Sequence, residues 1–137
     1  MINWNNLDTL ASFKELKDTK AVDLVSAMSG ESGADRVKSF NIPMAEGLNY
    51  NYAAKQVDSD VLDKLVKLAD EAQLADKFAA LYNGEVVNTG EKRLVLHHMT
   101  RGQLGEAVEA EGVDKRTFYK TQQERIAEFA NKVHSGE

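Results

Sequence analysis

Residues 82–101 gather side chains that could do chemistry: Glu85, Glu91, Arg93, His97, His98 and Arg101. A glutamate and a histidine can share general acid–base work when their side chains meet. Two arginines can hold a phosphate through charge-assisted hydrogen bonds. The adjacent pair His97-His98 invites a metal reading, but neighbouring helical positions point about 100° apart, so the two rings do not chelate one ion. Against each of these stands a plainer role. Glu91 suits the positive end of a helix, His97 suits a packed or hydrogen-bonded position, and Arg93 and Arg101 suit ion pairs with Glu85, Glu91 or Glu106. The plainer roles are preferred, with phosphate contact by the arginines kept open. No metal ligand set is assigned.

These residues need elements to hold them. Asn83-Gly84 reads as a turn, and Asn88 or Thr89 can cap a new helix. In that helix Leu94, Val95, Leu96 and Met99 form the buried face, while Arg93, His97 and Arg101 recur on one side at spacings of about four residues. Gly102-Gln103-Leu104-Gly105 and Asn88-Thr89-Gly90 are too short for phosphate loops and read as turns. Upstream, from Asp58 or Ser59, Val61, Leu62, Leu65, Leu68, Ala69 and Ala72 make an apolar stripe. The helical pattern continues through Leu74, Phe78 and Leu81 to Asn83-Gly84. Downstream, Asp114 caps a helix in which Phe118, Gln122, Ile126, Phe129, Ala130 and Val133 share a face, ending at Ser135-Gly136.

The first part of the chain is weaker in signal. Short helices are expected near 7–17, capped by Asn6 or Asp8, near 21–29, stopped by Gly30, and near 32–40. Pro43 disfavours helix at Ile42, and Leu48, Tyr50 and Tyr52 alternate with asparagines, which predicts an extended stretch near 46–53 laid against a surface. Strand and crossover helix do not alternate as a parallel sheet requires. The expected fold class is mainly α, with residues 1–137 forming one helical segment.

Composition narrows the function classes. The 137 residues are 42% hydrophobic and 28% charged, which fits a folded globular chain. A net charge of −5 and the absence of a basic stripe with interleaved aromatics argue against a nucleic-acid partner. There is no cysteine, hence no disulfide and no thiolate chemistry. The polar start, Met1-Ile2-Asn3-Trp4-Asn5-Asn6, has no apolar leader core, and no run approaches the ~20 apolar residues that span a bilayer. The expectation is a cytoplasmic protein with no membrane partner.

The motif at 82–101 resembles the signature region of the glucose-6-phosphate isomerase family, an aromatic followed by x-G-E-x-x-N-x-T-E-x-R-x-V-L-H-x-A-L-R. Tyr82, Gly84, Glu85, Asn88, Glu91, Arg93, Val95, Leu96, His97 and Arg101 match it. Gly90, Met99 and Thr100 depart from the family's Thr, Ala and Leu, weakening a local cap and altering packing. The helices around 62–74 and 118–137 are similar to those that flank the motif in the family. The segment Asn51-Tyr52-Ala53-Ala54-Lys55-Gln56 departs from the family's D-Y-S-K-N-R, which indicates a divergent branch. The resemblance covers roughly residues 45–137.

That resemblance implies the amino-terminal part of an α/β sugar-phosphate isomerase. The family interconverts glucose 6-phosphate and fructose 6-phosphate, in glycolysis and gluconeogenesis, without metal or organic cofactor, and is commonly a homodimer. Its Gly-rich phosphate loop, Glu base, ring-opening His and Lys and Arg partners lie downstream in the family and do not map onto this chain. The resemblance therefore implies no catalytic or substrate-binding residue here. Gly84, Glu85, Asn88, Glu91, Arg93, His97 and Arg101 become structural motif residues, the partner becomes the remainder of the isomerase core, and the chain alone is expected to be inactive. A freestanding helical interaction module derived from that family is the rival, and a weakly active fragment is a third reading.

Overall fold

A computed structural model describes residues 1–102 and 105–136. The expected turn at Gly102-Gln103-Leu104-Gly105 falls partly on Gln103 and Leu104, which lie outside the described residues. The chain is mainly α. Its contacts gather into two compact units, residues 5–72 and residues 1–4 with 73–136.

In the first unit, α1 (Ala11–Lys17) follows a short 3₁₀ turn at Leu7–Thr9, and α2 (Leu24–Ala27) and α3 (Gly30–Ser39) follow it. Neither Asn6 nor Asp8 supplies the expected cap for the first helix. The carboxylate of Glu71 does so from a distance in sequence, accepting from Ala11 N at 3.2 Å, Ser12 N at 2.8 Å and the Ser12 hydroxyl. The four orphan N–H groups of a helix start must find acceptors, and any well-placed anion serves. The second helix is shorter than the expected 21–29, because Asp23 accepts from Val25 N and Ser26 N and sets its start. Gly30, with φ +61, opens the next helix.

The extended stretch is half of a hairpin. Strands β1 (Asn41–Pro43) and β2 (Asn49–Asn51) pair antiparallel, Ile42 opposite Tyr50. The tyrosine alternation was legible; its pairing with the segment around Pro43 was not. Helix α4 (Ser59–Glu71) then packs along α1, capped by Asp58 accepting from Val61 N at 2.9 Å. Buried Arg36 ties the unit together. Its Nε donates to Ala53 O at 2.8 Å, its Nη2 donates to Lys55 O at 3.1 Å and Val57 O at 2.6 Å, and its guanidinium lies 4.0 Å from the Phe40 ring centre.

In the second unit the long helix expected to run to Leu81 starts afresh. Gln73, at φ +53, stands between α4 and α5 (Leu74–Tyr82), with its Oε1 accepting from Asn3 N at 2.8 Å. No Gly or Pro marks the break, so periodicity alone runs through it. Two short strands, β3 (Glu109–Ala110) and β4 (Val113–Asp114), form a hairpin closed by Glu111-Gly112, both left-handed as a type I′ turn requires. The sequence reading overlooked it. Helix α6 (Lys115–Ser135) begins at Asp114 and ends at left-handed Gly136, as expected. Among the described residues no helix is long and apolar enough to cross a membrane.

Candidate functional site

The motif at 82–101 sits entirely in the second unit, and its opening is dictated by Gly84. Helix α5 ends in a Schellman arrangement: Glu85 N donates to Ala80 O at 2.9 Å and Gly84 N to Leu81 O at 3.1 Å. Gly84 has φ +74, and a Cβ there would lie 2.2 Å from Val108 Cγ1. Both the backbone conformation and the close approach exclude a side chain.

The helix expected after Asn88 does not form. Asn88 and Arg93 instead bridge antiparallel, Arg93 N donating to Asn88 O at 3.2 Å. The Asn88 side chain closes the turn between them, its Oδ1 accepting from Glu91 N at 3.1 Å and its Nδ2 donating to the Glu91 carboxylate at 3.2 Å. This corrects the reading of Asn88 or Thr89 as helix caps and of Glu91 at a helix start. Asn hydrogen-bonds turns as readily as helix starts. Gly90 in what would be a first helical turn, flanked by Val86, Val87 and Val95, tips the balance to the turn. Only His97–Thr100 is helical, as one 3₁₀ turn. Arg93, His97 and Arg101 therefore do not share a helical side. All three are exposed, and among the described residues no ion pair joins either arginine to Glu85, Glu91 or Glu106.

What the motif builds is a core. Met99 is 0% exposed and packs with buried Leu96 and Val108, with Leu94 and Tyr119 against them. The residue that departs from the family's Ala is thus the best buried one in the unit. The two histidines diverge in role. His97 is exposed, whereas the His98 ring stacks on Tyr82 with centres 4.7 Å apart. Its Nε2 lies 3.1 Å from Tyr82 O, and since a carbonyl only accepts, Nε2 carries the proton.

Arg116, 6% exposed, is the polar residue the sequence reading missed. It donates to the same Tyr82 O at 2.8 Å and to Glu106 O, and its guanidinium lies 5.3 Å from the Tyr82 ring centre. The last carbonyl of α5 thus receives two donors, one cationic, which suits the negative end of a helix. No spacing rule flags Arg116, because its acceptors are backbone carbonyls far away in sequence. Asp114 orders the same corner, accepting from Arg116 N at 3.1 Å, Val108 N at 3.4 Å and both the N–H and hydroxyl of Thr117. The Thr117 hydroxyl, helped by those N–H groups, holds the Asp114 carboxyl below its ordinary range against the opposing effect of desolvation.

This arrangement places Glu91 in a turn with Asn88 and leaves His97 and both arginines exposed, so Glu91 and His97 are not assembled as an acid–base pair. Among the described residues, no group of three His, Cys, Asp or Glu side chains converges as a metal site would need. The sequence profile of the phosphoglucose isomerase family matches residues 51–137. The chain is 41% identical over 140 residues to a glucose-6-phosphate isomerase of Treponema denticola, covering 98% of this chain and 27% of that protein. It is 40% identical over 139 residues to one of Treponema pallidum, covering 98% and 26%, and 39% identical over 138 residues to one of Borrelia garinii subsp. bavariensis, covering 99% and 25%. The chain spans about a quarter of the length of these relatives. It belongs to the phosphoglucose isomerase family.

Proposed function

We propose that this chain is the amino-terminal part of a glucose-6-phosphate isomerase, serving as one helical segment over residues 1–137 that braces the α/β catalytic core. The family reaction, reversible conversion of glucose 6-phosphate to fructose 6-phosphate, then belongs to the assembled enzyme, in the cytoplasm and without metal or organic cofactor. The partners are the remainder of the isomerase and, in the homodimer, a second enzyme subunit, with no nucleic acid or membrane. Gly84, Glu85, Asn88, Glu91, Arg93, His97 and Arg101 act structurally, through the turn, the bridge and the core they frame.

The observation that carries this reading is the apolar face of α6. Ile126 is 68% exposed and Phe129 70%, with Val133 and Phe118 open beside them. Apolar side chains recurring along one face of a helix are the mark of a surface meant to be covered. A brace for a core supplies such a face, and a freestanding module does not. Sedimentation and dye binding separate the two. The bracing reading expects the purified chain to self-associate and to enhance the fluorescence of the uncharged dye Nile red, with both effects reduced in Ile126→Glu/Phe129→Glu. A monodisperse chain that leaves the dye dark would favour the independent module.

A further inference from the structure

The second unit carries a cleft that shares Leu94, Leu96 and Tyr119 with the packed motif and Phe118 with the open face of α6, and adds to them a cluster of cations that neither employs. It lies where the turn after Asn88 meets the start of α6, and its volume is about 550 Å³. Leu94, Phe118 and Tyr119 supply an apolar, aromatic wall, while Lys92, Arg93 and Lys115 bring three cations. Glu111 is the one carboxylate on the lining, and it is already engaged by Lys115 at 3.0 Å. Among the described residues no ion pair engages Lys92 or Arg93. The balance of charge is therefore positive in a chain whose net charge is −5.

The rim is also set by unusual backbone. Of the described non-glycine residues, four have positive φ, and two of them, Lys92 at +54 and Glu111 at +55, line this cleft. Side chains seldom adopt that conformation, and where they do the surrounding structure holds them there. The bridge from Asn88 to Arg93 fixes the first turn, and the β3–β4 hairpin fixes the second. Phe118, 46% exposed, leaves ring surface open beside the cations.

We propose that this cleft binds a small planar anion, an aromatic ring bearing a phosphate, sulfonate or carboxylate. The ring lies against Phe118 and Leu94, and the anionic group sits between Lys92 and Arg93, where a guanidinium offers two parallel donors. Cations are repelled. Inorganic phosphate lacks the ring contact, and a neutral ring lacks the charge, so both bind more weakly than the two features joined.

The test is an amide NMR titration of the 137-residue chain with phenyl phosphate, run beside phenol and inorganic phosphate. Saturable shifts are expected at Leu94, Ala110, Phe118 and Tyr119 with phenyl phosphate, with an affinity about tenfold or more above that of either control. Lys92→Glu/Arg93→Glu should weaken phenyl phosphate by about tenfold or more with the far-UV spectrum unchanged. If that double variant loses its spectrum, Arg93→Gln decides, with about a threefold loss expected and no loss counting against the site. The proposal is overturned by the absence of saturation up to about 10 mM, by equal affinity for phenol, or by shifts centred on Ile126 and Phe129. That last outcome would mark adsorption to the open face of α6 and would leave the bracing function standing.

Discussion

Replacing Gly84 by alanine separates two physical causes at the opening of the motif. The φ of +74 puts an L-residue in the left-handed region, at a cost of about 1–2 kcal/mol. The added Cβ would lie 2.2 Å from Val108 Cγ1 and 3.0 Å from its Cγ2, an overlap that the packed cluster around Met99 must absorb. Overpacking of a close-packed core costs a further ~1–3 kcal/mol, so Gly84→Ala should lose about 2–5 kcal/mol of stability. Val108→Ala alone removes two buried methyl groups and should cost about 2 kcal/mol. In the double variant the clash disappears while the backbone term stays, giving a favourable coupling of about 1–3 kcal/mol. Urea unfolding followed by circular dichroism at 222 nm, extrapolated linearly, measures all four proteins. Strict additivity, or a single variant within ~0.5 kcal/mol of the parent, would refute the close approach of Gly84 to Val108.

Other consequences follow from the same structure. Met99→Ala should cost about 2–5 kcal/mol, because it empties the only fully buried large side chain among the described residues, and the same urea series checks it. Arg36→Ala takes a cationic donor from three carbonyls, of which only Lys55 O keeps a second donor among the described residues, Val57 N, and should cost about 3 kcal/mol or more, with Arg36→Lys recovering little because a single ammonium cannot reproduce the fork. Glu71 and Asp114 both titrate below their ordinary values of 4.5 and 3.8, held chiefly by the hydroxyls of Ser12 and Thr117. A depressed folded-state value means the stabilisation is complete above those ordinary values and fades as pH falls through the lower, folded ones. Thermal melts between pH 6 and pH 2 should therefore show a loss at the acid end that Glu71→Gln/Asp114→Asn makes shallower.

The sequence was informative where local chemistry decides structure. Asp114 caps α6, and Gly84 and Gly136 end α5 and α6, each readable because the residue acts on its immediate neighbours, whereas Asp58, read only as a start of the helical pattern, caps α4. The motif was legible as a family signature but not as a shape. Arg93, His97 and Arg101 recur at helical spacing, yet Asn88 closes a turn on Glu91 and no helix forms before His97. A four-residue interval among polar residues is weak evidence for a helix when nothing requires those side chains to be on one face. The distant ties were invisible for a different reason. Glu71 at the start of α1, and Arg36 and Arg116 on remote carbonyls, depend on contacts that no local pattern encodes. Gln73 breaks a continuous apolar pattern without any residue that announces a break.

The candidate site changes character in consequence. As a string of residues it looks like two histidines, two arginines and two glutamates ready for proton and phosphate chemistry. In space it is a glycine stop, an asparagine-closed turn and a methionine core, with the ionisable groups directed outward or spent on the end of α5.

The most direct measurement is isomerase activity of the purified chain, coupled from fructose 6-phosphate through glucose 6-phosphate to a dehydrogenase. The account predicts no turnover above the coupling blank. Turnover that tracks the chain through purification and falls in Glu91→Gln, His97→Ala or Arg101→Ala would contradict it.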